Sequence, residues 1–341
     1  MAHQSLYRAY RPQSFKEVIG QDQVTTALQE SIKAEKIGHA YLFSGSRGLG
    51  KTSIARIFAR ELGTTDKDLY EIDAASNTQV DHMRELIDNV YTLPFDSRYK
   101  VYILDEAHML SKSAWNAFLK TLEEPPAHVI FILATTELEK VPETVQSRCQ
   151  VFEFKKPTRE GVAKLITSVA KKEGYTIDPS AADLLALLAN GSYRDALSVL
   201  EKALSVTKDS TLTREEAERA TGTPRHALVD ALVCALGEGD TGAALGAIRA
   251  AEEASVDMQL FLSLVIEHVR NVLLVRHAPE LRASLKAELG EAYEGTEDIA
   301  KNGAKLTHTA LKVLIDAAAR MRYAPVAALP LELAVYELFA E

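Results

Sequence analysis

The stretch AYLFSGSRGLGKTS (40–53) has the residue types and the spacing of a phosphate cradle. An apolar run from Ala40 to Ser44 leads into Gly45, Ser46, Arg47, Gly48, Leu49 and Gly50. Lys51, Thr52 and Ser53 then open a helical stretch that reaches Leu62. Glycines let successive amide N–H groups face one concavity, and the helix start adds positive potential there. Lys51 would reach the β- and γ-phosphates of ATP, and Thr52 would ligate magnesium. A glycine-rich turn before a helix can be purely structural, but here strand, loop and helix stand in the order a nucleotide needs.

A second chemical group ends the apolar run VYILDEAH (101–108). Asp105 would hold the same magnesium, directly or through water, and Glu106 would orient and polarise the attacking water, as phosphoryl transfer requires. His108 reads as a supporting or packing residue. Thr135 and Thr136 follow the run VIFILA (129–134), where a hydroxyl could touch that water or the γ-phosphate. Threonines are also common at strand ends, so spacing alone leaves their role open. Arg148 and Arg194 could complete such a site, with a surface ion pair as the alternative for each.

The elements that must position these residues alternate over 1–157. Strands are expected at 40–45, 69–73, 101–105, 129–134 and 150–154, separated by amphipathic helical segments. That alternation implies an α/β domain with a buried parallel sheet covered on both faces. Ser111 reads as the N-cap of the helix carrying Trp115, Phe118, Leu119 and Leu122, which Pro125 and Pro126 end. After Pro157 no strand is expected. Residues 158–221 read as three or four short helices, starting near Thr158 and Asp178 and broken at Asn190 and Gly191; residues 222–341 read as helical throughout. The segment 257–275 is apolar on more than one face and should be buried on more than one side.

The totals are those of a globular chain: 341 residues, 47% hydrophobic and 26% charged. No apolar run approaches the roughly 20 residues that span a bilayer, and the first residues lack the apolar core of a secretory signal. A cytoplasmic protein with no membrane partner is expected. The net charge is −9, and residues 222–341 hold −6 of it, with 11 Lys/Arg against 17 Asp/Glu. Contact with DNA would therefore be local and made by the N-terminal part. Cys149 and Cys234 lie far apart without a CxxC spacing, so no zinc is expected from them.

Several strings together resemble the gamma/tau subunits of bacterial DNA polymerase III, which are clamp-loader AAA+ proteins. They are YRAYRPQSFKEVIGQDQV (7–24), the phosphate loop, EIDAASN (71–77), DEAHMLS with AWNAFLKTLEEPP (105–126), ATT with VPETVQSRC (134–149) and GSYRDALS (191–198). The similarity runs in order over about residues 5–200 and continues more weakly to LPLELAVYEL (329–338). The resemblance implies a P-loop AAA+ core over 1–157, a small helical lid over 158–221 and an all-α collar over 222–341 that joins five subunits. It places Lys51, Thr52, Asp105 and Glu106 in the Walker roles and makes Thr136 the first sensor. Arg194 becomes the second sensor, Arg148 a finger reaching the ATP of the adjacent subunit, and Tyr7, Arg11 and Pro12 the border of adenine and ribose. The implied work is ATP-driven loading of a sliding clamp onto primer–template DNA, with other clamp-loader subunits as partners.

The chain departs from that family in two places. Members usually carry a four-cysteine zinc module after the first helix, where Gly63 to Asp68 form a short bridge here, so no zinc is carried over. Relatives often have basic residues after EIDAAS, where Asn77, Thr78 and Gln79 stand here. The resemblance also suggests that the chain ends with the collar and lacks the tail by which longer members bind helicase and polymerase. Two other readings exist. A branch-migration helicase should carry a basic winged helix where this chain is acidic and helical, and a scaffold or stator subunit should have lost the phosphate loop that is intact here.

Overall fold

In the computed structural model, residues 4–76, 86–207, 209–289 and 292–339 are described. They divide into two compact units, Met1–Val162 with Ala189–Ser198, and Ala163–Leu188 with Val199–Glu341.

The first unit is built on five parallel strands, β1 (Ala40–Ser44), β2 (Leu69–Asp73), β3 (Lys100–Asp105), β4 (Val129–Thr135) and β5 (Gln150–Glu153), in the order β2-β3-β4-β1-β5. All seven residues of β4 and all five of β1 are buried, as expected of central strands covered on both faces. Alternate residues supply the two faces. Leu42, Tyr102, Leu104, Phe131 and Leu133 pack with Trp115, Phe118 and Leu122 of helix Lys112–Glu123. Tyr41, Phe43, Ile103, Ile130 and Ile132 pack with Leu28 of helix Asp22–Lys33 and with Ile54, Ile57 and Phe58 of helix Lys51–Glu61. Ser111 caps helix Lys112–Glu123 as expected, accepting from the Ala114 amide at 3.2 Å.

The sheet edges differ from the expectation of uniformly buried strands. β2 stands at one edge with Tyr70, Glu71 and Asp73 exposed, and β5 stands at the other with Gln150, Val151 and Glu153 exposed. The short bridge before β2 is tied down from its own end. The buried Asp68 carboxylate accepts the amides of Phe95, Asp96 and Ser97 at 2.6–2.9 Å, fixing the turn that enters β3. Although burial opposes ionisation, those amides hold its pKa down at about 2.

The second unit is helical, with one exception to the expectation of no strands after Pro157. Thr176–Ile177 and Thr211–Leu212 pair in parallel. Helices Arg159–Lys172, Pro179–Leu188, Tyr193–Leu204 and Arg214–Thr221 fall where short helices are expected, the first and third beginning in the first unit. Helix Met258–His277 is long and apolar enough to cross a membrane by length and composition alone, contrary to the expectation that no run approaches that length. It packs against helices His226–Glu238, Ala292–Asn302 and His308–Met321, and 56% of its apolar window is buried. Burial on several sides is what its apolar faces demand.

Candidate nucleotide site

In open α/β sheets ligands bind beyond the carboxyl ends of the strands. Here β1 lies beside β4 and β4 beside β3, so the residues that follow these three strands share one edge. The loop after β1 needs glycine for specific reasons. Gly45, Gly48 and Gly50 have φ of 143°, 79° and 93°, which disfavour a side chain. A Cβ on Gly45 would lie 2.7 Å from the Phe154 carbonyl oxygen, and one on Gly48 would run into Ser192. Lys51 begins the following helix and is 6% exposed. Its Nζ donates to the carbonyls of Gly45 at 2.6 Å and Ser46 at 2.9 Å, bracing the loop across its mouth. Burial pushes the pKa of this ammonium down, while the charges of Glu106 and Asp105 oppose that shift.

Thr52 donates its hydroxyl to Asp105 Oδ2 at 2.7 Å. The two oxygens expected to share magnesium are therefore already neighbours. Asp105 Oδ1 accepts the Glu106 amide at 3.0 Å, and Glu106 adopts a left-handed conformation with φ 49° and ψ 43°. That turn carries the carboxylate out of line with the strand. Glu106 Oε2 then accepts from the Thr136 hydroxyl at 3.1 Å and lies 3.5 Å from His108 Nδ1.

The two threonines separate clearly. Thr135 is fully buried, its hydroxyl shared between His108 Nδ1 at 3.1 Å and the Glu137 amide at 3.0 Å. The Thr135 side chain is thus taken up by His108 and Glu137, and Thr136 is the one whose hydroxyl meets the Glu106 carboxylate. His108 bridges the two layers, with Nε2 3.2 Å from Glu137 Oε1.

Other expected residues gather around this centre. Arg11, half-buried, donates to the Ser53 hydroxyl at 2.8 Å, next to the half-buried Pro12. The Arg194 guanidinium lies 5.5 Å from the centroid of the Tyr7 ring. Reading the sequence alone missed how segment 189–198 docks. Ser192 packs on Gly48, the Tyr193 amide donates to the Gly48 carbonyl at 3.1 Å, and the Tyr193 hydroxyl donates to the Ile19 carbonyl at 2.7 Å. The string GSYRDALS was the signal, although only its arginine was singled out. Ser46 is half-buried, Arg47 exposed and Leu49 buried in the first unit's core.

Arg148 stands apart. Its guanidinium donates to Glu123 Oε1 and to the Thr144 carbonyl, both at 2.6 Å, and no residue of 45–53 is among those hydrogen-bond partners. Glu123, in the LKTLEEPP segment, is the partner that sequence reading did not identify. Asn77, Thr78 and Gln79 lie outside the described residues. Cys149 and Cys234 are free thiols, and burial pushes Cys149 up to about 12.

A parallel sheet with a phosphate loop after β1, paired carboxylates after β3 and a threonine after β4 defines a P-loop protein of the AAA+ class. The chain is 39% identical over 315 residues to the DNA polymerase III subunit tau of Bacillus subtilis, covering 86% of this chain, and 37% identical over 302 residues to the DNA polymerase III subunit gamma of Buchnera aphidicola, covering 82% of this chain and 83% of that one. It belongs to the gamma/tau subunit family of DNA polymerase III. A family model described as "DNA polymerase III, delta subunit" matches residues 20–75 and 62–158, and one described as "DNA polymerase III clamp loader subunit, ATPase lid domain" matches 162–209. The chain spans about half the length of several relatives, 56% of the Bacillus protein and 46% of the Escherichia coli tau subunit. The Thermotoga maritima RuvB Holliday junction branch migration motor shares the fold, with a TM-score of 0.54 at 19% identity over 86% of this chain and 89% of that one.

Proposed function

We propose that the chain binds and hydrolyses ATP with Mg²⁺ as a motor subunit of a bacterial clamp loader, loading a sliding clamp onto primer–template DNA. The observation that carries this reading is the meeting of Lys51, Thr52, Asp105, Glu106 and Thr136 along one sheet edge in a member of the gamma/tau family. On this reading Gly45 to Ser53 cradle the phosphates and Tyr7, Arg11 and Pro12 border the base and sugar. Thr52 and Asp105 hold the metal, Glu106 polarises the water under the hold of Thr136, and Arg194 answers the γ-phosphate. Arg148, held by Glu123 and the Thr144 carbonyl, serves the ATP of a neighbouring subunit. No zinc is expected where the family's cysteine module would stand.

The domain division at 157 and 221 belongs to the same reading, with 158–221 as lid and 222–341 as collar. Ile315, Tyr323, Val326, Leu333 and Tyr336 leave large apolar side chains exposed near the C-terminal end of the second unit. That surface supports assembly with other loader subunits, as a hetero-pentamer, through the collar. The site of action is replicating DNA, hence the cytoplasm. The helical second unit, with no strand after Leu212 among the described residues, is unlike the winged helix expected of a branch-migration helicase.

The test is ATP turnover by the chain mixed with candidate loader subunits, with and without primed DNA and clamp. Strong stimulation by both together is expected; turnover indifferent to them would remove the clamp-loading role while leaving nucleotide binding intact. The threonines give a finer check. Thr136→Val should lower turnover about tenfold or more, from the roughly 1.5–3 kcal/mol of a lost hydrogen bond to a charged group. Thr135→Val should instead lower the unfolding temperature and change turnover far less. The reverse pattern would reassign the first sensor to Thr135.

A further inference from the structure

The second unit holds a group of side chains that the nucleotide chemistry does not use. His226 and Asp230 are one turn apart on helix His226–Glu238, and His268 projects toward them from helix Met258–His277. His226 Nδ1 lies 3.5 Å and His268 Nδ1 3.0 Å from Asp230 Oδ1, and the three donor atoms are all within 4.8 Å of one another. They form the one such cluster of histidine, cysteine or acidic side chains among the described residues. No local spacing announces it, because His268 is 42 residues after His226.

Several observations point beyond a simple ion pair. His268 is more than nine-tenths buried, at 7% exposure. Although its Nδ1 is 3.0 Å from Asp230 Oδ1, the angle does not make a hydrogen bond, and both atoms are buried without a hydrogen-bond partner. Leaving such atoms unsatisfied in a buried position is costly. The far side of the ring explains what Nδ1 presents. Nε2 faces the Thr296 hydroxyl at 3.3 Å; with the ring proton there, Nδ1 offers a lone pair. A lone pair on nitrogen and a carboxylate oxygen then face each other across a gap too short for two acceptors alone. A cation between them removes the repulsion.

We propose that His226, Asp230 and His268 form a binding site for a divalent ion of the zinc class, joining two helices of the second unit. Two imidazole nitrogens and a carboxylate oxygen suit zinc and its neighbours rather than magnesium or calcium, which prefer oxygen. Structural zinc usually has four protein ligands, whereas three leave one position for water. The partly exposed Asp230 gives the site a solvent route. Thr296 orients His268 from outside the ligand set, as partners of metal-binding histidines commonly do. Burial, outweighing the attraction of Asp230, pushes His226 down to about 4, with Arg214 and His268 adding to the shift. Arg214 is itself paired with Glu218 at 3.0 Å. The expectation of no zinc came from the cysteines alone and did not weigh this cluster.

The proposal does not depend on the nucleotide reading and is tested without it. The chelator-stripped chain is titrated with Zn²⁺ by calorimetry and with Co²⁺ by visible absorption. One Zn²⁺ per chain is expected, together with d–d bands from cobalt held by nitrogen and oxygen and a higher unfolding temperature. His226→Ala changes a partly exposed side chain, and His268→Gln keeps much of the buried volume. Each should weaken Zn²⁺ binding by at least about 100-fold, because even residues outside the ligand set cost 10–100-fold. Each should also remove the cobalt bands. The proposal is overturned if wild type binds no Zn²⁺, or if both variants retain its stoichiometry, affinity and cobalt spectrum.

Discussion

Lys51→Met is expected to bind ATP at least about 10–100-fold more weakly than wild type and to reduce hydrolysis to background. The substitution keeps the aliphatic stem that fills the buried position and removes only the ammonium. That charge is the side-chain cation placed at the loop mouth, and a hydrogen bond to a charged group is worth about 1.5–3 kcal/mol. A second loss adds to this. The Gly45 and Ser46 carbonyls would lose the donor that holds them 2.6 and 2.9 Å from Nζ, so the loop would also lose its cross-brace. Titration with a fluorescent ATP analogue and a steady-state turnover assay measure the two effects separately. Wild-type affinity and turnover in this variant would show that the phosphates are held elsewhere.

Arg148→Ala should have the opposite division of effects. An arginine supplied to another subunit's ATP is worth about 10³–10⁵ in rate, through the charge that develops in the transition state. Its loss should leave ATP affinity nearly unchanged, since its hydrogen-bond partners are Glu123 and Thr144 rather than the phosphate loop. Stability should hardly change either, because a partly exposed ion pair contributes about 0–1 kcal/mol. The expected result is normal nucleotide binding with loss of the hydrolysis stimulated by clamp and primed DNA. Mixing Arg148→Ala with Lys51→Met chains should restore some turnover, since one brings an intact loop and the other an intact arginine. Full stimulated hydrolysis by Arg148→Ala alone would end the proposal.

What was legible in the sequence was local. The phosphate loop is nine consecutive residues, Gly45 to Ser53, whose glycines and lysine are each required by geometry within that span. β3 and β4 were equally plain, being apolar runs long enough to cross a buried sheet. What failed to show depended on contacts between distant segments. Nothing in the order Thr135, Thr136 says which hydroxyl His108 will claim. LYEID reads as a strand wherever it lies, so its place at the sheet edge depended on the strand order. The paired dipeptides at 176–177 and 211–212 are too short to carry a period. Glu123 meets Arg148 across 25 positions, and His268 meets Asp230 from another helix.

Glu106 has a consequence for how such a chain could adapt to heat. A left-handed backbone costs a residue with a side chain about 1–2 kcal/mol, and glycine adopts it without that penalty. Glycine at 106 would thus relieve strain while discarding the carboxylate proposed to polarise water. Selection for thermostability alone would favour the change, and selection for turnover would reverse it. A lineage moving to higher temperature must gain its stability at other positions, and this strained turn would persist as a mark of what the site is kept for.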